Sequence, residues 1–90
     1  MENSKQLTVK EEEAIGVAML DIATNMELND RVPQAYFNEL NTVFKKVFNL
    51  PKQTLINVTL QKTGEREWLV TAKSGEHWSE CEMTILGIVA

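Results

Sequence analysis

The sequence has few of the residues that build covalent cross-links, metal sites and nucleophilic centres. Its 90 residues include one cysteine and one histidine. A single cysteine excludes an internal disulfide framework. A zinc site needs three or four convergent ligands, and an activated nucleophile needs a base beside it. We therefore expect no metal, no cofactor and no enzymatic activity.

Signals for phosphate binding, membrane insertion and secretion are missing as well. The four glycines are isolated, and neither GxGxxG nor GxxxxGK occurs. No apolar run approaches the ~18–20 residues that span a bilayer. Residues 1–10 are polar and are not followed by the apolar stretch of a secretory signal. These absences predict a cytoplasmic protein that does not associate with membranes.

Charge is modest in total but unevenly distributed. Thirteen acidic residues against nine basic ones give a net charge of −4, so we do not expect a nucleic-acid partner. Acidic residues concentrate in 1–30 and 76–90, and basic residues in 31–75. Such asymmetry can steer a partner, or it can mean only that acidic and basic elements pack side by side.

Two helices are predicted in the first half of the chain. The sequence 8–11, Thr-Val-Lys-Glu, has the form of a capping box. Apolar residues follow at helical spacing: Ile15, Ala18, Met19, Ile22, Ala23 and Met26. Val17 and Leu20 widen this stripe, which predicts a helix that is buried around most of its circumference. We expect Gly16 to allow close packing of this helix. The helix is predicted to end within residues 25–29. Residues 1–7 are predicted to be a flexible tail in front of a single domain, 8–90.

The second helix has clear boundaries. Pro33 suits its first turn, and Asn49 suits the left-handed position after its last turn, just before Pro51. Its apolar residues also recur at intervals of three and four residues: Tyr36, Phe37, Leu40, Val43, Phe44, Val47 and Phe48.

Beyond Pro51 the apolar spacing changes to two, which predicts three strands. Apolar residues alternate with polar ones at 56–60, 68–72 and 81–89. We expect an antiparallel β-meander with both helices packed on one face: a two-layer α+β fold in the order ααβββ.

The first hairpin is predicted from the rule that apolar residues share a face. A loop at 62–64, with Gly64 left-handed, pairs Leu60 with Arg66 and Val58 with Trp68.

The connection between the second and third predicted strands allows two registers. A tight turn at Ser74 and Gly75 pairs Trp68 with Cys81, whereas a longer loop of about 73–80 pairs Val70 with Met83. We favour the longer loop because the tight turn would leave residues 85–90 without a partner strand. The longer loop also places His77 and Trp78 in a segment that projects from the sheet.

Segment 76–82 has the highest concentration of potentially functional side chains in the sequence. Exposed tryptophan anchors interfaces, so we predict a partner-binding surface consisting of Glu76, His77, Trp78 and Glu80. Cys81 alternates onto the core face, which argues against a metal site or a Cys–His pair here.

Four further apolar residues are predicted on the sheet face away from the helices: Leu55, Leu69, Leu86 and Ile88. A solvated face should be polar, so these residues indicate a self-association surface, a last strand that is central and buried, or a first helix that wraps across that strand. A two-fold homodimer is the simplest self-association.

The function predicted from these features is a non-enzymatic protein-interaction module, an adaptor or an inhibitor of another macromolecule, acting as a homodimer. One alternative is a structural subunit whose terminal strand pairs with a neighbour's edge. Another is a small-ligand or enzymatic domain that uses residues 76–82 together with Tyr36 and Asn57.

Overall fold

Two helices precede three strands along the chain. The computed structural model describes residues 7–86. Its elements are α1 (Val9–Asn29), α2 (Gln34–Phe48), β1 (Asn57–Gly64), β2 (Glu67–Ser74) and β3 (His77–Thr84). The strands form one antiparallel sheet in the order β1–β2–β3, and side chains from both helices and the sheet share one core. The predicted α+β arrangement is confirmed.

The ends of α1 are set by its capping residues. The Thr8 hydroxyl accepts a hydrogen bond from the Glu11 amide (3.1 Å), and the Glu11 carboxylate accepts one from the Thr8 amide (3.0 Å), as the capping box predicts. The helix ends at Asn29, within the predicted range, where Asp30 turns left-handed with φ 56°. Leu7, placed by prediction in a flexible tail, packs against the core.

One face of α1 is buried and the opposite face is not. Its buried side chains are Ile15, Ala18, Met19, Ile22 and Ala23. Val17 is 54% exposed and Leu20 is 44% exposed. The expectation of burial around most of the girth is therefore wrong. Within the described chain, α2 and the sheet are the only elements available to cover α1, and they leave its far side open.

α2 supplies the aromatic part of the core. The helix begins directly after Pro33 and ends at Phe48. Asn49 follows it as the predicted left-handed cap, with a φ of 55°. Its buried residues are Leu40, Phe44, Val47 and Phe48. The rings of Phe44 and Phe48 lie 4.6 Å apart, so consecutive turns of α2 interlock within the core.

The first hairpin has the predicted faces but a different register. Leu60 pairs with Val70 rather than with Arg66. Arg66, not Gly64, takes the left-handed conformation (φ 60°), and a bulge lies between Lys62 and Gly64. The turn is therefore shifted along the chain. The partner of Leu60 changes by an even number of residues, which keeps the apolar side chains on the helix side.

The second connection is a tight turn, so the predicted loop of 73–80 is wrong. Ser74 pairs with His77, and Gly75 has the positive φ (59°) that a two-residue hairpin turn requires. Neither anticipated register occurs, because Val70 pairs with Cys81 and Trp68 with Met83. Residues 77–84 all join the ladder, which places Trp78 in a strand instead of a projecting loop.

A polar contact joins the end of α1 to the first hairpin. The Glu27 carboxylate accepts hydrogen bonds from the Trp68 indole N–H (2.8 Å) and from the Lys62 ammonium group (3.4 Å). The same ammonium group lies 5.4 Å from the centroid of the Trp68 ring. An acidic side chain is unfavourable near the C-terminus of a helix, and α1 has no basic residue in its last turn. The two donors from the sheet offset this repulsion and hold α1 on the hairpin.

The charge of Glu27 makes this contact dependent on pH. The Trp68 N–H, and after it the Lys62 ammonium group, hold the pKa of the Glu27 carboxyl below its ordinary value. A carboxyl with a lower pKa in the folded state stabilises the fold above its unfolded pKa of about 4.3, and this stability is lost as the pH falls through the folded value. We expect Glu27→Gln to be less stable than the wild type at neutral pH, with the difference shrinking below about pH 4.

Urea unfolding followed by circular dichroism, between about pH 3 and pH 7, measures this difference. Glu39→Gln, at an exposed position on α2, is the matched control and should leave the pH profile of the wild type unchanged in shape. Parallel profiles for Glu27→Gln and the wild type across the range would show that the charge of Glu27 does not stabilise the fold.

Candidate functional site

The structure divides the predicted partner-binding residues between the two faces of the sheet. Trp78 pairs with Lys73 and is 53% exposed on the face away from the helices. Glu80 is exposed on the same face, two residues further along β3. His77 lies on the helix side, and Glu76 lies in the turn before β3. Trp78 and Glu80 can therefore contact the same partner, whereas His77 cannot join them.

His77 belongs to the margin of the core. Its ring lies 5.0 Å from the ring of Phe48 at an interplanar angle of 39°. Its Nδ1 atom is buried and has no hydrogen-bond partner among the described residues. The histidine thus packs the end of α2 against the start of β3.

Cys81 lies on the same face as His77 but not within its reach. Four residues along a strand separate them by about 13 Å, which is too far for a Cys–His hydrogen bond. Burial raises the pKa of the Cys81 thiol, which lowers the fraction of reactive thiolate. Asn57, considered as part of a pocket, pairs with Lys73 on the opposite face. Within residues 7–86 there is no group of three His, Cys, Asp or Glu side chains arranged to hold a metal ion.

The predicted self-association residues do not form one continuous patch. Leu55 (90% exposed) precedes β1 at one end of the sheet, and Leu86 (80% exposed) follows β3 at the other end. Leu69 lies between them, half-buried, with Gln61 and Glu82 as its cross-strand neighbours. Ile88 is outside the described residues. Their role in self-association stays a prediction.

One long edge of β3 is open. β2 is the only described strand that pairs with β3. Just beyond the strand, the Ile85 amide donates to the Arg66 carbonyl (2.7 Å), which marks Ile85 as facing β2. Backbone groups along an antiparallel strand alternate between the partner and the opposite side. The amides and carbonyls of Trp78, Glu80 and Glu82 therefore point to the open edge.

An apolar groove runs beside this edge, between α1 and β3; we call it the α1–β3 groove. It consists of two depressions, of about 400 Å³ and about 280 Å³, which adjoin at Gly16 and Cys81. Its walls are Leu7, Glu12, Glu13, Gly16, Val17, Met19 and Leu20 on one side, and residues 78–81 with Met83 on the other. Exposed Val17 and Leu20 thus face half-buried Cys81 and Met83 across an opening to solvent.

Sequence reasoning missed this groove because it assigned Val17 and Leu20 to the core. The sequence did contain a sign of the groove, because α1 has more apolar residues than a single buried helix face can accommodate. Gly16 was expected to allow close packing, which the structure contradicts. A Cβ atom at Gly16 would find open space, with no heavy atom within 4 Å beyond its neighbours along the helix. Gly16 instead leaves the centre of the groove open.

The open space at Gly16 predicts a stabilising substitution. Alanine favours a helix interior over glycine by about 1 kcal/mol, so we expect Gly16→Ala to raise the free energy of unfolding by about that amount. Gly75→Ala is the matched control, because its Cβ would also meet nothing within 4 Å while its φ of +59° disfavours a side chain. Gly75→Ala should lower stability by about 1 kcal/mol. Urea unfolding measures both, and a destabilised Gly16→Ala would mean that α1 does need glycine for packing.

Within residues 7–86 neither helix has the length and hydropathy to cross a bilayer. Comparisons with protein-family models, with curated proteins and with solved structures find no match for this chain.

Proposed function

We propose that this chain is a non-enzymatic protein-interaction module that binds another protein, as an adaptor or an inhibitor, and self-associates as a homodimer. The observation that supports partner binding is the apolar surface along the α1–β3 groove. Exposed Val17 and Leu20 line it, and Trp78 borders it on β3 while its exposed side chain lies on the outer face of the sheet. Exposed apolar surface of this kind marks interaction sites in soluble proteins.

Trp78 is the side chain best suited to anchor a partner. It is large, exposed and held on a strand rather than on a loop, so little conformational entropy is lost when it is covered. Glu80 beside it supplies charge for orientation of the partner. The buried Nδ1 atom of His77 and the raised pKa of the Cys81 thiol do not favour thiol or histidine chemistry in this segment.

Self-association is supported by the exposure of Leu55 and Leu86, the two leucines at the ends of the sheet. Leu55 and Leu86 project from opposite ends of the sheet, and a two-fold partner can cover both at once in an isologous contact. A domain of this size also gains stability by association, because its own core is small.

Partner capture tests the role of Trp78. Immobilised wild-type protein is exposed to lysate of the source cells, and bound proteins are quantified by mass spectrometry. We expect Trp78→Ala to weaken capture of the specific partner by about 30-fold, as for an interface hot spot of about 2 kcal/mol. Val9→Ala, an exposed apolar residue outside the groove, is the control and should retain capture. Equal capture by both variants would argue against a partner site at Trp78.

The mass in solution tests the homodimer separately. Light scattering on the untagged protein over about 1–100 μM covers weak to moderate affinities. We expect a dimer, and we expect Leu86→Glu to weaken it at least about tenfold by placing a charge in the interface. Leu28→Glu, at an exposed position on α1, is the control. A monomer throughout the range would refute the homodimer and leave partner binding untouched.

A further inference from the structure

We propose that the open edge of β3 binds an extended segment of the partner as a fourth strand, and that this segment alternates apolar and basic residues. This inference rests on the proposed function, for which it specifies the chemistry of the partner. It follows from the backbone of β3, the α1–β3 groove and the charge on the outer sheet face.

The backbone of β3 supplies hydrogen-bonding groups for a further strand. Trp78, Glu80 and Glu82 direct their amides and carbonyls away from β2, and no described strand forms hydrogen bonds with these backbone groups. The Glu82 carbonyl accepts a weak hydrogen bond from the Cys81 thiol (3.7 Å). An extended segment alongside can satisfy these groups with the same ladder geometry that joins β2 to β3. Addition of a strand thus requires no rearrangement of the sheet.

The groove determines which side chains this strand carries toward α1. Residues that face one another across a ladder share a side of the sheet. Residues of the segment opposite Cys81 and Met83 therefore point toward α1, where Val17 and Leu20 form the far wall. The open space at Gly16 leaves room for a branched aliphatic side chain. Every second residue of the segment is accordingly apolar.

The intervening residues meet a different environment. They lie opposite Trp78, Glu80 and Glu82 on the outer face of the sheet, where both carboxylates are exposed. No lysine or arginine among residues 7–86 forms an ion pair with Glu80 or Glu82. Opposite charges on facing strands stabilise a pair and like charges destabilise it. Lysine or arginine is therefore favoured at these positions.

The same charges disfavour a second copy of this chain at the edge. Two-fold antiparallel pairing of β3 with itself, with the helices on one side of the joined sheet, places acidic residues of one copy opposite or next to those of the other. Glu80 and Glu82 would repel their counterparts across the new ladder. A basic segment of a different protein has no such penalty.

Peptide binding tests the proposal directly. The probe is a fluorescein-labelled, N-acetylated nonapeptide that alternates lysine with valine and leucine, and its affinity for the full chain is measured by fluorescence anisotropy. Two control peptides replace every lysine with glutamate or scramble the alternation at constant composition. We expect the alternating basic peptide to bind at least ten times more tightly than either control.

Variants of the protein test the groove and the acidic residues of the outer sheet face separately. Gly16→Phe fills the groove and should weaken peptide binding at least tenfold, whereas Leu28→Phe, at an exposed position of α1 that does not line the groove, should not. The double substitution Glu80→Lys with Glu82→Lys should reverse the preference in favour of the acidic peptide. Circular dichroism checks the fold of each variant. The charge reversal keeps the proposal testable if Gly16→Phe does not fold.

Amide hydrogen exchange distinguishes strand addition from loose electrostatic attraction. The bound peptide should slow exchange at the Trp78, Glu80 and Glu82 amides relative to the free protein. Binding that ignores the alternation, or that leaves these amides unprotected, would overturn the proposal, while Trp78-dependent capture of a partner would still support the proposed function. Protection of the same amides in a dimer without peptide would assign the edge to a second copy and also overturn it.

Discussion

Burial of one face of α1 is the constraint on which the rest of the structure depends. α1 packs against α2 and lies close to β2 and β3, so its buried face forms the common boundary of all the layers. Ile15, Met19 and Ile22 are almost completely removed from solvent there. Large-to-small changes at such positions cost about 2–5 kcal/mol, a large part of the stability of a domain this small.

The position of α1 also creates the candidate site. With one face buried in the core, α1 retains Val17 and Leu20 beside that face, in the α1–β3 groove. At the other end of the helix, Glu27 is held by Trp68 and Lys62 from the first hairpin. α1 is therefore fixed over the sheet at its C-terminal end, while farther toward its N-terminus it borders the groove beside the open edge of β3. The apolar residues that make α1 a good core helix thus also form one wall of a surface suited to a partner.

The fold class followed from local signals, whereas strand registers did not. The Thr8 capping box, the Asn49 cap and the change from helical to alternating spacing after Pro51 each depend on neighbouring residues. The registers depend on which turn residue takes a left-handed conformation. Gly75 does so in the second hairpin, but Arg66 does so in the first, a position that glycine preference did not indicate. Because both register shifts were even, the faces were predicted correctly although the paired residues were not.

By itself, the sequence determined the order of elements, the helix caps and the core-facing side chains of α2 and of the strands, because these follow from capping chemistry and from hydrophobic periodicity. Only the tertiary structure decided that β3 lies at an edge, that Trp78 and Glu80 share a face without His77, and that Val17 and Leu20 line a groove. The physical reason is that periodicity identifies which side chains avoid water but not which surface covers them. That choice depends on contacts between elements distant in the sequence.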